Sequence, residues 1–237
     1  MKRIKRIAYI AFALLLAAGT AFAQTAPAQD QNIDFSTKNW INHAGAAFGV
    51  PISKYKIDGN NIDQIAVTLD AMYLGIYKNG FSAKANVGAG VALTKSISFA
   101  GASGTQCGAF LSAQLGAGYT FLRTKKFTVS AFGMLGIEGA LYQTEKKPYK
   151  HKELGVVDRS LSAGIAVFSL GADITAVFYP IPRLGIFCNV AGRYLPFALM
   201  NNGAKYAYDD YTRYESYKSS GNGVFSVTPS VGALWRW

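Results

Sequence analysis

The chain has 237 residues, 50% of them hydrophobic, with 24 Lys and Arg against 13 Asp and Glu and a net charge of +11. Beyond residue 23 no apolar run reaches the ~18 residues of a membrane helix, which excludes helical spans from the rest of the chain. Two histidines and two cysteines leave little material for a His/Cys metal cluster or a disulfide framework.

Lys2, Arg3, Lys5 and Arg6 precede an apolar stretch from Ile7 to Ala18 and then Ala21-Phe22-Ala23. A basic start, a short apolar core and a small-residue cleavage site predict a secretory signal peptide over residues 1–23, cleaved to leave Gln24 first. The apolar core is too short to cross ~30 Å of hydrocarbon. No Cys follows the cleavage site, which argues against a lipoprotein. Cleavage removes four of the 24 Lys and Arg and none of the 13 Asp and Glu, so the mature chain carries +7. A basic secreted protein meets anionic lipid or polysaccharide rather than nucleic acid.

Residues 24–38 read as a short periplasmic segment, and alternation begins at Trp40. Eight segments alternate with period two: Trp40 to Ile52, Gln64 to Tyr77, Phe81 to Thr94, Ala109 to Phe121, Phe127 to Tyr142, Ser169 to Tyr179, Leu184 to Leu195, and Val224 to Trp237. Each is somewhat longer than the ~9 to 11 residues of a tilted membrane strand. The turns Lys78-Asn79-Gly80, Leu122 to Lys126 and Pro180 to Arg183 are short. Lys54 to Asn61, Lys95 to Gly108, Gln143 to Leu161 and Pro196 to Gly223 are longer, and the two kinds strictly alternate. In lipid every backbone N–H and C=O needs an internal partner, so spanning strands must close on themselves. The pattern predicts an all-β fold: an eight-stranded antiparallel up-and-down transmembrane β-barrel over 39–237, long loops outside and both termini periplasmic.

A soluble barrel would also alternate, with its apolar face inward. Volume argues against it: eight strands enclose only enough space for side chains, while the apolar set is rich in Phe, Leu, Ile and Tyr and the other in Gly, Ser and Ala. Trp40, Tyr77, Phe81, Phe121, Phe127, Phe178 and Trp237 also fall on the apolar face near the short-turn ends, as an aromatic girdle at a headgroup boundary does.

The closing run Gly232-Ala233-Leu234-Trp235-Arg236-Trp237 resembles the C-terminal insertion signal of bacterial outer-membrane barrels, with Gly232, Trp235 and Trp237 in the key places. Signal peptide, eight strands, girdle and this signal together look like the small outer-membrane barrels of the OmpA-domain, OmpX and OmpW type, over nearly the whole mature chain. The likeness is architectural; no residue motif fixes one family. It implies residence in outer-membrane lipid, insertion by barrel-assembly machinery reading the last strand, and, for the OmpW type, passage of small hydrophobic molecules.

Inward charges are His43, Asp70, Lys84, Glu138, Asp173, Arg193 and Arg236. Buried charges persist when paired. Counting from the turns brings Asp70 within a diagonal step of Lys84 and Asp173 within one of Arg193, with Glu138 and Arg193 higher and able to meet across the lumen. Such a belt is either a breakable ionic gate or a static polar core. Below it Met72, Leu74, Ile76, Phe132, Phe187 and Leu234, with Tyr179, point inward and make an apolar base: a plug, a solute pocket or plain packing.

The loop from Gln143 to Leu161 carries Lys146, Lys147, Lys150, His151, Lys152 and Arg159, a cationic or merely solvated surface. The last long loop holds Tyr206, Tyr208, Tyr211, Tyr214 and Tyr217, which suits either contact with a small apolar solute or extracellular ligand, or a hairpin prolonging its two strands. Cys107 and Cys188 fall on strands that are not neighbours and are expected to be free thiols. No nucleophile, base and acid converge at the rim, no metal-ligand spacing occurs and no cofactor motif is present, so the expectation is a non-enzymatic protein without cofactor. The leading role is a surface-exposed structural or interaction protein with a largely plugged lumen; the rival is a narrow porin-like channel for small hydrophobic solutes, and a barrel enzyme acting on lipid is the remotest reading.

Overall fold

The computed structural model describes residues 38–57, 60–94, 106–144, 147–153, 155–208 and 211–237. The expected signal peptide, nearly all of the 24–38 segment and most of the Lys95 to Gly108 connection lie outside them. Among the described residues ten strands are formed: β1 (Trp40–Gly49), β2 (Ile52–Ile57), β3 (Asn60–Tyr77), β4 (Phe81–Thr94), β5 (Gln106–Arg123), β6 (Phe127–Gln143), β7 (Lys147–His151), β8 (Gly155–Ile181), β9 (Leu184–Tyr208) and β10 (Tyr211–Arg236).

All pairings are antiparallel, and the sheet returns on itself. β3 to β6 pair in sequence, β6 pairs β8, β8 pairs β9, and β9 pairs β10. β10 then lies along β1 and β2, which lie along β3. Among the described residues, closure pairs β1 to β6 and β8 to β10 on both sides, which is how a sheet of this size avoids presenting bare N–H and C=O groups. β7 pairs with Gly155 to Arg159 of β8, just above the stretch that β6 covers.

Period-two alternation decides the faces. Val87, Leu135 and Ile174 are 62%, 49% and 56% exposed, whereas Lys84 and Asp173 of the same strands β4 and β8 are buried. The bulky apolar side therefore looks outward and the charged side inward. Small inward residues make that possible: a Cβ at Gly45 would collide with the carbonyl of Ala233 across the β1–β10 seam.

Several strand ends differ from the sequence expectation. The first segment breaks at Val50-Pro51 and resumes as β2, because proline has no N–H for the ladder; the Pro51 carbonyl still accepts from Ala66 N at 2.8 Å. The Lys54 to Asn61 connection is mostly paired strand, with Ile57 opposite Asn60. β8, β9 and β10 run 27, 25 and 26 residues, so the Gln143 to Leu161 and Pro196 to Gly223 connections are largely strand. The Tyr-rich loop is a hairpin, paired as far as Tyr208 opposite Tyr211. Its polar, Gly- and Tyr-rich sequence hid the alternation, since neither face there is uniformly apolar.

The interior has two apolar layers. One at the short-turn end contains Met72, Leu74, Ile76, Phe132, Phe187 and Leu234. The second, toward the long connections, joins Tyr55, Ile62, Phe110, Tyr142, Leu161 and Leu195. A polar belt lies between them, which corrects the expectation of a lumen polar above and apolar below: the upper layer takes Phe110, Tyr142 and Leu195 from the upper ends of expected strands and adds Tyr55 of β2 and Leu161 of β8, from stretches read from sequence as loop.

Candidate functional site

The belt is the only place in the described interior where opposite full charges are packed together, and each cation reaches its acid across the lumen. Lys84 of β4 places Nζ 2.8 Å from Asp173 Oδ2 of β8. It also donates to Thr175 Oγ1 at 2.8 Å and to Asn189 Oδ1 at 2.9 Å. An ammonium has three donors and all three are used. Asn189 Nδ2 continues the chain to Ser230 Oγ at 3.3 Å, and the Phe132 ring lies 5.5 Å from Nζ.

One level higher Arg193 of β9 places Nη1 3.0 Å from Glu138 Oε1 of β6. Nη1 also donates to Thr228 Oγ1 at 3.1 Å, and Nη2 donates to Gln114 Oε1. Here Glu138 Oε2 and Arg193 Nε are buried without a partner among the described residues. Side-chain exposure is 0% for Lys84, Asp173 and Glu138, and 6% for Arg193.

Of the residues expected in an ion network, four pair, in a different arrangement from the diagonal steps counted from the turns. Lys84 lies opposite Leu74, and Asp70 opposite Gly88, so the two are too far apart along the strands to meet. Lys84 crosses to Asp173 instead, and with Asp173 taken, Arg193 turns up to Glu138. Asp70 makes no ion pair with a described residue; it accepts from Thr68 Oγ1 at 3.1 Å. Its carboxylate lies flat on the wall where a Cβ at Gly88 would collide with it.

The base residues Met72, Leu74, Ile76, Phe132, Phe187 and Leu234 are all buried. At their level His43 Nε2 meets Tyr179 Oη at 2.8 Å and His43 Nδ1 the Leu74 carbonyl at 3.0 Å. The Arg236 guanidinium stacks 3.9 Å from the Tyr179 ring. Above the belt Tyr142 Oη donates to Gln64 Oε1 at 2.6 Å, and Gln64 Nε2 donates to Tyr55 Oη at 3.2 Å.

Sequence reasoning missed Gln114, Thr175, Asn189 and Thr228. They carry no charge, but they share the inward parity of the charged residues within one row or two, and that was the available signal. Tyr55 was missed because its segment looked like a loop.

On the outer face Trp40 packs on Tyr77 and Phe81 with ring centroids 5.1 and 6.3 Å away, and Phe127 on Phe178 at 4.9 Å. Trp40, Phe81, Phe121, Phe127, Phe178 and Trp237 are exposed and Tyr77 is half-buried. Gly232 and Trp235 of the closing run pair with Ala47 and Ala44 of β1, and Trp237 N donates to Asn42 O at 3.0 Å. Cys107 and Cys188 are free and exposed. No group of three or more metal-ligating residues occurs among the described residues.

No protein-family model matches the chain, and no curated protein does. Solved structures do. The outer membrane protein OprG of Pseudomonas aeruginosa is 11% identical over 86% of this chain and 99% of its own, with a TM-score of 0.47. A major outer membrane protein of Thermus thermophilus is 14% identical over 82% and 99%, at 0.45. Neisserial surface protein A is 13% identical over 84% and 98%, at 0.44. Each of the three is a bacterial outer-membrane or surface protein.

Proposed function

We propose that the chain is an eight-stave transmembrane barrel of the bacterial outer membrane with a closed interior, acting through its surface as a structural or interaction protein and not as an enzyme. β1 and β2 count as one stave and β7 as an extension of the β6 stave. The outward face supports membrane residence: Leu115, Phe121, Ile137 and Leu141 each lie more than 60% exposed, and each large apolar side chain gains roughly 1.5–3 kcal/mol by leaving water for hydrocarbon. The girdle on the short-turn side supports a periplasmic position for the terminus.

The observation that carries the closed interior is the absence of solvent exposure at Lys84, Asp173 and Glu138. A water-filled pore leaves its charged lining wet. Here two crossing ion pairs, with apolar layers above and below, fill the bore. An apolar solute passing along the axis would have to break both pairs, which weighs against the hydrophobic-solute channel.

Planar-bilayer recording on the refolded protein tests this. The expected result is a bilayer that stays at baseline current across the voltage range in which it remains intact. Steady unit conductance steps in the unmodified protein overturn the closed interior and restore the channel.

A further inference from the structure

The apolar belt does not end at one height. On β2 and β3 its last row is Ile52 opposite Ile65, and the next outward row is Lys54 opposite Asp63. On β9 and β10 the belt continues: Lys54 lies opposite Phe225, Phe225 opposite Tyr194, and Tyr194 opposite Leu170. Two irregularities add to this patch. One lies on β10 between Gly223 and Phe225, so that Val224 and Phe225 are both exposed. The other lies where β9 passes Leu195-Pro196 and sets Phe197 opposite Phe168. A bulge places an extra residue on one strand and re-aims its neighbours. Tyr194 and Phe197 are 59% and 67% exposed.

An aromatic patch therefore stands beside two lysines at the same level. Lys56 follows Lys54 on the same face, about 6–7 Å along the strand, and sits opposite the neutral Asn61. The Asp63 carboxylate is 3.8 Å from Lys54 with both side chains more than half exposed, a contact too weak to occupy the ammonium. By contrast Arg213, on the mouth-facing side, is already held by Glu153 at 3.1 Å and Glu215 at 3.4 Å.

We propose that this outward face of β2, β9 and β10 binds a phosphorylated glycolipid, with Lys54 and Lys56 on its phosphate and Phe225, Tyr194 and Phe197 against its acyl chains. The site rests on the membrane reading above. The patch is continuous with the lipid-facing belt, so its occupant is a lipid, and the lysines stand where the belt stops, so the head is anionic. The size of the head follows from the wall above: the outward residues Ser220, Lys218, Ser216 and Tyr214 of β10 rise roughly 20 Å over the patch, with Lys205 lying 5.4 Å from the Tyr214 ring. That polar wall suits a saccharide head and exceeds a glycerophospholipid head.

The test uses the full-length protein refolded in phosphatidylcholine vesicles containing a small fraction of lipid A bearing both phosphates, followed by native mass spectrometry of retained lipid. The unmodified protein retains lipid A, and the Lys54→Ala/Lys56→Ala variant retains roughly thirtyfold less, at about 1 kcal/mol per lysine. Lys150→Ala/Lys152→Ala retains it unchanged, and lipid A stripped of phosphate is not retained. Equal retention by the Lys54/Lys56 variant overturns the site, as does complete displacement by an equal amount of phosphatidylglycerol, which would show a general affinity for anionic lipid. Quenching of tryptophan fluorescence by brominated phosphatidylcholine separates the two readings: quenching with unchanged retention sinks only the site, while unquenched tryptophans in the unmodified protein sink the membrane reading with it.

Discussion

The two levels of the polar belt are built from the same chemistry and finished differently. Lys84 meets three oxygen acceptors, and Asp173 is satisfied in return by Thr175. One level up, Glu138 keeps one oxygen and Arg193 one nitrogen without a partner among the described residues. A buried polar atom with no partner loses about 1–3 kcal/mol relative to a bonded one. The lower level is thus a rigid plug, and the upper level is the softer of the two, where a bound water or a displaced side chain has free atoms to use.

The largest effect should come from breaking the saturated level. Lys84→Met leaves Asp173 charged and alone in the bore, and urea unfolding in vesicles should show a loss of about 3–5 kcal/mol. A loss under about 1 kcal/mol would mean the lower level carries no load. Glu138→Gln keeps an acceptor for Arg193 but removes the countercharge at a site already short of partners, so about 1–3 kcal/mol is expected; a cost equal to that of Lys84→Met would erase the distinction between the levels. Thr228→Val takes away one neutral acceptor of Arg193 and should cost about 0.5–1.5 kcal/mol, read from the same titration. Smallest of all, Lys84→Met/Asp173→Leu replaces the pair with apolar volume and should return to within about 1 kcal/mol of the unmodified protein. If the double variant is as unstable as the single, Thr175 and Asn189 depend on the charges for more than neutralisation.

The lower half of the molecule was legible because its sequence is two-toned. From Phe81 to Leu93 each outward residue is apolar or alanine and its neighbours are polar or small, so parity alone placed Lys84 inside. The girdle residues were found for the same reason. Partner choice was carried only in part: Glu138 and Arg193 were read as able to meet across the lumen and do, but adjacent strands suggested Asp70 for Lys84, and long side chains in a narrow bore reach across it more easily than along its wall. The sequence did not carry the upper lengths of β8, β9 and β10, where Tyr206 and Glu215 point in and Tyr214 and Lys218 point out, and both sides look polar. In water above a membrane the two faces of a hairpin need not differ in polarity, and the period-two signal fades.

Asn42 and Trp237 exchange both of their backbone hydrogen bonds, at 3.2 and 3.0 Å. This tie joins positions nearly 200 residues apart, so the ring is sealed by its most distant contact in sequence, the kind that forms slowly. Until the final strand arrives, β1 and β9 are bare edges in a greasy sheet, the state most prone to sticking to other chains. A cell making this protein has reason to hold it unfolded until β10 is in hand.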